Sequence, residues 1–239
     1  AVAVLLVAGV VVTGTGPHSG DEAASRFAFD IETVARIHAD VVYVVVGLTF
    51  ALLFALRPDW TPGQIKSALV TTARTSVTKQ DRLTPADPFD VGGGRVDLTR
   101  AGDPGLTLSE SARNFAASAA DEPNRVDLNL PSVNAPVMPG VLTVRRTVTN
   151  VTNRTLVYRA TGTTVSGASV TVLPPILSVR PGRSAKISVV IAAPELPDGQ
   201  YFGRVDLKEI GGDRDLRLPV AFFRRQGAVP VGQDCAPAA

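Results

Sequence analysis

Hydrophobic and polar positions divide the chain into an N-terminal part with long apolar runs and a C-terminal part with short alternating ones. Residues 1–12 form the first apolar run. It fits either the core of a truncated signal peptide or a buried strand of an α/β domain, because periodicity alone does not separate the two.

The second apolar run, residues 41–56, contains no charged side chain. Its β-branched first half predicts a strand over 41–46, and its Leu/Phe/Ala-rich second half predicts a buried helix over 47–56. A transmembrane helix is the alternative, but the run is shorter than the roughly 20 residues that a bilayer requires. The mixed and polar residues 18–40 before it are compatible with a short helix.

A capped helix is predicted to begin after Trp60. Thr61 has the character of an N-cap, Pro62 suits the first helical position, and Gln64 completes a capping box three residues after the cap. The positions that recur at helical spacing are Ile65, Ala68, Leu69 and Thr72. They predict a narrow apolar face that packs on a larger body and carries no chemistry.

Residues 75–127 are polar and contain several prolines and glycines. They predict irregular chain that closes one domain and leads to the next. The three glycines at 92–94 do not predict a phosphate-binding loop, because no Lys-Ser/Thr pair follows them and G-x-G-x-x-G spacing is absent.

Short apolar alternations follow residue 126, with turn sequences such as Met138-Pro139-Gly140 between them. They occupy residues 128–130, 142–151, 156–160, 170–173, 187–191, 201–207 and 216–223. About seven short strands separated by turns predict an immunoglobulin-like or fibronectin type III-like sandwich. Within 142–148 the apolar positions share one face at a period of two, and Arg146 is the exception.

Composition excludes several classes of protein. The 239 residues suffice for one or two domains, and 24 basic against 22 acidic residues leave a net charge of +2 without a basic cluster for nucleic acid. The single cysteine, Cys235, gives no disulfide framework and no metal-binding pair. It is read as a tolerated tail residue, with an intermolecular disulfide or lipid anchor as the alternative. Because the chain starts at Ala1, we expect a fragment or a processed product.

Several segments resemble the end of the catalytic domain of subtilisin-like serine proteases. They are Pro58-Asp59-Trp60 with the helix after it, Phe89-Asp90-Val91-Gly92-Gly93-Gly94-Arg95-Val96-Asp97 and Ala101-Gly102-Asp103-Pro104-Gly105-Leu106. The segments Arg146-Thr147-Val148-Thr149-Asn150-Val151, Val172-Leu173-Pro174 and Tyr201-Phe202-Gly203 resemble the fibronectin type III-like domain that follows it in large members of the family. The resemblance implies a peptide-bond hydrolase with an Asp-His-Ser triad.

The residues of that triad are not found in this chain. The family's nucleophile lies in a Gly-Thr-Ser-Met pattern that should fall near Ala39, where no serine occurs. Neither His18 nor His38 precedes a Gly-Thr pair, as the family's histidine does. We do not expect His38 and Asp40 to form a catalytic dyad. We therefore name no catalytic, cofactor-binding or metal-binding residue.

Two further motifs do not predict a catalytic or metal site. Asp213 and Asp215 are expected to face solvent in a hairpin, because calcium requires about six or more converging oxygens. The sequences Asn150-Val151-Thr152 and Asn153-Arg154-Thr155 match the N-glycosylation pattern, which matters only for a protein secreted by a glycosylating host.

The sequence thus predicts an α/β remnant of a subtilisin-like catalytic domain with a linker over 1–125. An all-β fibronectin type III-like or immunoglobulin-like sandwich follows over 126–226, and a flexible tail over 227–239. We expect the C-terminal portion of a secreted serine endopeptidase, inactive as this chain and without cofactors, whose intact parent cleaves proteins or peptides. No nucleic-acid partner is expected. The alternative is a secreted or membrane-associated binding or scaffold module built on the sandwich.

Overall fold

The structure, a computed structural model, describes residues 2–16, 25–79 and 81–228. By its internal packing the chain divides into two units, residues 1–59 and 60–239. The expected domain boundary at 125/126 lies inside the second unit. Because a unit of packing is not the same as a domain of common origin, the three-part division stays a prediction.

In the described part of the first unit, two helices pack on each other, α1 (Val2–Thr15) and α2 (Ile31–Leu56). Asp30 caps α2 by accepting a 2.7 Å hydrogen bond from the backbone N–H of Thr33. The strand predicted over 41–46 is wrong, since these residues lie in the middle of α2. β-Branched residues cost a helix only a few tenths of a kcal/mol each, and a helix already nucleated upstream propagates through them.

The strand interpretation of residues 1–12 is also wrong, because the described part of that run is helical. No residue of α1 is buried in the structure. A uniformly apolar sequence has no periodicity with which to distinguish helix from strand, and here the helix is formed. The signal-peptide interpretation of this run stays a prediction.

The second unit begins with α3 (Pro62–Thr71), whose predicted capping box is confirmed. The Thr61 hydroxyl accepts from the N–H of Gln64 at 3.2 Å, and the Gln64 side chain accepts from the N–H of Thr61 at 2.8 Å. Ile65 and Ala68 on its apolar face are fully buried. Four short helical segments interrupt the predicted irregular stretch: α4 (Pro88–Val91), α5 (Leu98–Ala101), α6 (Ala112–Ala117) and a 3-10 turn (Pro123–Asp127).

Among the described residues of this unit, nine strands build a two-sheet sandwich. They are β1 (Leu106–Thr107), β2 (Val133–Met138), β3 (Val141–Asn150), β4 (Leu156–Thr164), β5 (Ser169–Leu173), β6 (Ile176–Val179), β7 (Ser184–Ala192), β8 (Gly199–Glu209) and β9 (Leu216–Arg224). One sheet has the order β1-β3-β7-β5 and the other β2-β9-β8-β4-β6. All pairs are antiparallel except β2 with β9.

Six of the predicted strands occur close to their expected positions, and the one at 128–130 does not, because it follows the 3-10 turn as irregular chain. β1, β2 and β6 were not predicted. β1 and β6 are short, and β2 contains Pro136, which argues against a strand in a sequence reading. The inner faces pack a continuous core from Leu142, Val144, Val148, Leu156, Tyr158, Ile187, Val189, Ile191, Val205, Leu207, Leu216, Leu218, Val220 and Phe222.

Candidate functional site

Long-range contacts in the second unit form a junction between residues 60–108 and the sandwich. β1 pairs with β3, so that Leu106 lies opposite Asn150 and Thr107 opposite Thr149. One residue later, the buried N–H of Leu108 donates to the hydroxyl of Ser67 on α3 at 2.8 Å. The segment predicted as a linker therefore supplies an edge strand of the sandwich and ties α3 to it.

An ionic cluster holds the same junction at the β8–β9 turn. The guanidinium of Arg214 lies 2.6 Å from a carboxylate oxygen of Asp103 and 3.5 Å from one of Glu209. Arg100 donates to the backbone carbonyl of Asp215 at 2.8 Å. The hydrogen bond to Asp103 raises the pKa of Arg214 above its ordinary value, which favours the charged form of the guanidinium.

The expectation that Asp213 and Asp215 both face solvent holds only for Asp213. Asp215 is half-buried, and its carboxylate accepts from the backbone N–H of Glu209 at 3.1 Å. This hydrogen bond of Asp215 closes the β8–β9 turn, and the neighbouring Arg214 extends to Asp103 in the junction. In the described ranges, no group of three or more His, Cys, Asp or Glu side chains is arranged to hold a metal ion.

A cavity of about 390 Å³ lies beside this junction, between residues 75–93 and strands β4, β8 and β9. Its polar side is formed by Arg204 and Arg217, which contact the buried carboxylate of Asp206 at 2.8 and 3.4 Å. Arg217 also donates to the hydroxyl of Thr75 at 2.7 Å. The described lining of this cavity carries the guanidinium groups of Arg204 and Arg217 and the carboxylate of Asp87, and it contains no histidine, cysteine or serine.

Aromatic packing closes the region next to the cavity. The ring of Phe89 on α4 meets Phe202 edge to face at 5.3 Å between centroids and stacks on Phe223 at 6.1 Å. Such pairs contribute roughly 0.5–1.5 kcal/mol beyond the burial of their area. Gly94, three residues after α4, has a φ of +114°, and a Cβ there would lie 2.5 Å from the carbonyl oxygen of Arg74, so this position requires a glycine for the chain to pass close to Arg74.

Arg146, the exception in the apolar pattern of β3, points into the protein and is 3% exposed. Its guanidinium donates to the carbonyls of Leu130, Val126 and Ser132 at 2.7–2.9 Å, and also to that of Arg145. Burial lowers its pKa to about 10. The side chain thus organises the irregular entry into the sandwich, which explains why residues 126–132 need no strand of their own.

The candidate catalytic residues are not brought together. His38 lies on α2 beside Gly9 of α1, and its buried Nδ1 atom has no hydrogen-bond partner among the described residues. Asp40, two positions along the helix, is exposed and projects from a different side. His18 and Cys235 lie outside the described residues. The assignment of no catalytic residue stays a prediction.

Comparison with known proteins identifies the relationship. Residues 127–222 match the fibronectin type-III domain family. The subtilisin-like protease SBT3.11 of Arabidopsis thaliana is 37% identical over 161 residues, which cover 55% of this chain and 21% of the plant protein. Its relative SBT3.15 is 32% identical over 208 residues, covering 74% and 27%. The chain is a homologue of subtilisin-like proteases.

This homologue spans about a quarter of the length of the curated relatives it matches. The predicted family resemblance and the predicted fibronectin type III-like domain are both confirmed. Among solved structures, the secreted serine protease VesC of Vibrio cholerae aligns at 11% identity with a TM-score of 0.35, covering 51% of this chain and 23% of its own. A likeness at that level carries no argument about function.

Sequence reasoning missed the junction because its contacts join distant positions. Arg214 and Asp103 are 111 residues apart, and Arg217 and Thr75 are 142 apart. Arg146 did carry a signal, since a charged residue on an otherwise apolar strand face must find partners or be excluded from the core.

Proposed function

We propose that this chain is the C-terminal portion of a secreted subtilisin-like serine endopeptidase and is catalytically inactive by itself. A serine hydroxyl is a poor nucleophile until a positioned imidazole removes its proton and a carboxylate orients that imidazole. The chain has two histidines in total. The observation that carries the proposal is the environment of His38, whose buried Nδ1 atom, the position that an orienting carboxylate would occupy in a triad, has no hydrogen-bond partner in the described part of the chain.

In this proposal the second unit has a supporting role. Residues 60–108 would be the end of the catalytic domain, and their strand, ion pairs and aromatic contacts would fix them to the sandwich. The intact parent would hydrolyse peptide bonds in proteins or peptides, as the names of the relatives indicate for those proteins. The proposal requires no cofactor, metal ion or nucleic acid.

Labelling with a fluorophosphonate tests the proposal without assuming a substrate. The purified chain, shown by circular dichroism to be folded, is incubated with the probe beside an active subtilisin and read by intact mass. We expect an adduct on the subtilisin and none on this chain. A single adduct on this chain, mapped to one serine and lost when that serine is replaced by alanine, would overturn the inactive assignment.

A second function is favoured by α2. Its 26 residues extend about 39 Å at 1.5 Å per residue, longer than the roughly 30 Å hydrocarbon core of a bilayer. Among the described helices, it is the one long and apolar enough to cross a membrane by length and composition. Tyr43, Val44, Leu48 and Leu52 are exposed on it. This supports the alternative of a membrane-associated module that presents the sandwich.

Flotation with phosphatidylcholine vesicles separates the two functions. A membrane-associated chain rises with the vesicles, and the double variant V44D/L48D stays at the bottom of the gradient, because a charge in the centre of an apolar helix opposes insertion. The variant T163D/S178D, altered at two exposed neutral residues of the sandwich, serves as the charge-matched control and should float like the unmodified chain. If the unmodified chain stays at the bottom, the membrane-associated function is wrong.

A further inference from the structure

The two consecutive glycosylation patterns lie in and beside one turn, but their asparagines have different environments in the structure. Asn150 ends β3 and is 1% exposed, whereas Asn153 lies in the turn before β4 and is exposed. Thr155, which completes the second pattern, is exposed as well. Both asparagines match the glycosylation pattern in the sequence, but only Asn153 is exposed in the folded chain.

The side chain of Asn150 is fully used in holding the turn. Its Nδ2 donates one hydrogen to the carbonyl of Arg154 and the other to the carbonyl of Val179, both at 2.8 Å. Its Oδ1 accepts from the backbone N–H and the hydroxyl of Thr152 at 2.8 and 2.7 Å. A glycosylated Nδ2 keeps a single hydrogen, so a sugar here would leave a buried carbonyl without its donor and would need space that the strand end does not have.

The side-chain amide of Asn153 does not stabilise the turn in this way. Its side chain makes no hydrogen bond among the described residues and is open to solvent. Next to it, Arg154 turns its guanidinium towards the buried carboxylate of Glu209 at 3.0 Å, which fixes the turn without using the asparagine. A bulky polar group on Asn153 would therefore extend into water and break no contact.

We propose that Asn153 is an N-glycan acceptor and that Asn150, despite its matching pattern, is excluded by the fold. In the reaction the Asn153 Nδ2 forms a bond to the anomeric carbon of the sugar and loses one proton, while the bond from that carbon to a diphosphate leaving group breaks. In a secretory pathway the donor is a lipid diphosphate-linked oligosaccharide. Glycosylation in the cell therefore rests on the proposed secretion. The accessibility of Asn153 to a glycosyltransferase does not depend on secretion.

The test of the site uses the purified full chain, a soluble N-glucosyltransferase that recognises Asn-x-Thr, and a nucleoside diphosphate glucose as donor. We expect the folded chain to gain one hexose, located on Asn153 by peptide mass spectrometry. Modification of Asn150 should be at least about tenfold lower, because its amide is reached only by local opening. In urea that the enzyme tolerates but the fold does not, both asparagines should react.

Two matched threonine variants, each of which removes one of the two glycosylation patterns, test which asparagine is modified. T155A should abolish the modification of the folded chain, whereas T152A, which removes the Asn150 pattern but keeps both amide donations of Asn150, should leave it unchanged. A hexose on Asn150 of the folded chain, or no hexose on Asn153, would overturn the proposal.

Expression behind a cleavable secretory leader in insect cells then tests the cellular outcome. We expect secreted protein to carry a peptide N-glycosidase-sensitive glycan on Asn153 alone, and any chain modified on Asn150 to stay in the retained fraction. Secretion driven by the chain's own first residues, without the added leader, is a separate experiment. Its failure would count against natural export and not against Asn153.

Discussion

The two units of this protein contain similar apolar side chains but differ in how far they bury them. In α2 the described large apolar residues are mostly exposed, including Leu48 at 54% and Tyr43 at 76%. In the sandwich, Leu142 and Tyr158 are at most 1% exposed. The difference is one of available partners: two sheets cover each other's inner faces, whereas a helical pair has too little surface to cover itself.

The comparison indicates where stability resides. Fully burying a leucine contributes roughly 1.5–3 kcal/mol, and an exposed one contributes almost nothing. The second unit should therefore unfold as a cooperative body, while the first depends on whatever covers its apolar surface. In the proposed function that cover is the rest of a catalytic domain, and in the alternative it is lipid.

The largest expected effect comes from removing the junction. Residues 60–239 should be soluble and should unfold in one cooperative transition, whereas residues 126–239 should lose that transition, because they lack β1, α3 and the buried Leu106 and Leu108. Urea unfolding followed by circular dichroism measures this.

An intermediate truncation identifies the part that matters. Residues 103–239 keep β1 and Asp103 but lack α3, and should recover a transition with a lower midpoint. If residues 126–239 unfold with the same midpoint as 60–239, the sandwich is independent and the junction adds nothing to its stability.

Arg146 gives the next largest effect. Arg146→Met should lower the free energy of unfolding by about 3 kcal/mol or more, because it leaves several carbonyls without donors and each buried unsatisfied acceptor costs roughly 1–3 kcal/mol. Arg145→Met is the neighbouring control. Arg145 is exposed and pairs with Asp127 at 3.2 Å, so its loss should cost at most about 1 kcal/mol. Equal losses for the two variants would contradict the role assigned to Arg146.

The parts of the fold that the sequence predicts are those with local causes. Two such features are the capping box at Thr61 and Gln64 and the period-two pattern of β3. Both depend only on residues close together in the sequence, and both are confirmed. The strand over 41–46 failed because β-propensity is a weak preference that a longer, nucleated helix overrides. A helix signal was present upstream, in Asp30 as cap and the Glu32–Arg36 pair at i,i+4.

The junction could not have been predicted in the same way. β1 has two residues, and its pairing with β3 depends on chain folding back over more than 40 positions. The distinction between Asn150 and Asn153 likewise depends on the carbonyl of Val179, which lies on another strand. Sequence patterns identify residues that could form a long-range contact, and the packing of distant segments determines which of these contacts form.

A pair of leucine substitutions tests the contrast in burial directly. Leu142→Ala should destabilise the second unit by about 2–5 kcal/mol, whereas Leu48→Ala should change the free energy of unfolding by at most about 0.5 kcal/mol. Urea midpoints of the full chain measure both. Should Leu48→Ala prove as costly as Leu142→Ala, α2 is covered in solution by a surface that its exposure in the structure does not reveal.

The smallest predicted effect concerns the pH dependence of the junction and comes from Asp97. Its carboxylate caps α5 by accepting from the hydroxyl and N–H of Thr99 at 2.6 and 3.1 Å, and it contacts Arg74 at 2.8 Å. The Thr99 hydroxyl, followed by Arg74, lowers the pKa of Asp97 to about 2. An unfolded chain would titrate this group near its ordinary value of about 3.9.

Because the folded pKa is the lower one, the contribution of Asp97 to stability is present above about pH 4 and is lost as the pH falls towards 2. Carbon-13 NMR of the carboxyl group should follow this titration directly. In Asp97→Asn the urea midpoint should be lower than in the unmodified chain at pH 5, and the gap should narrow at pH 3 and below. Titration of Asp97 near 4 in the folded protein would mean that its bonds to Thr99 and Arg74 do not hold the carboxylate in solution. The junction would then depend on β1, the Arg214 cluster and the Phe89 contacts, and not on this cap.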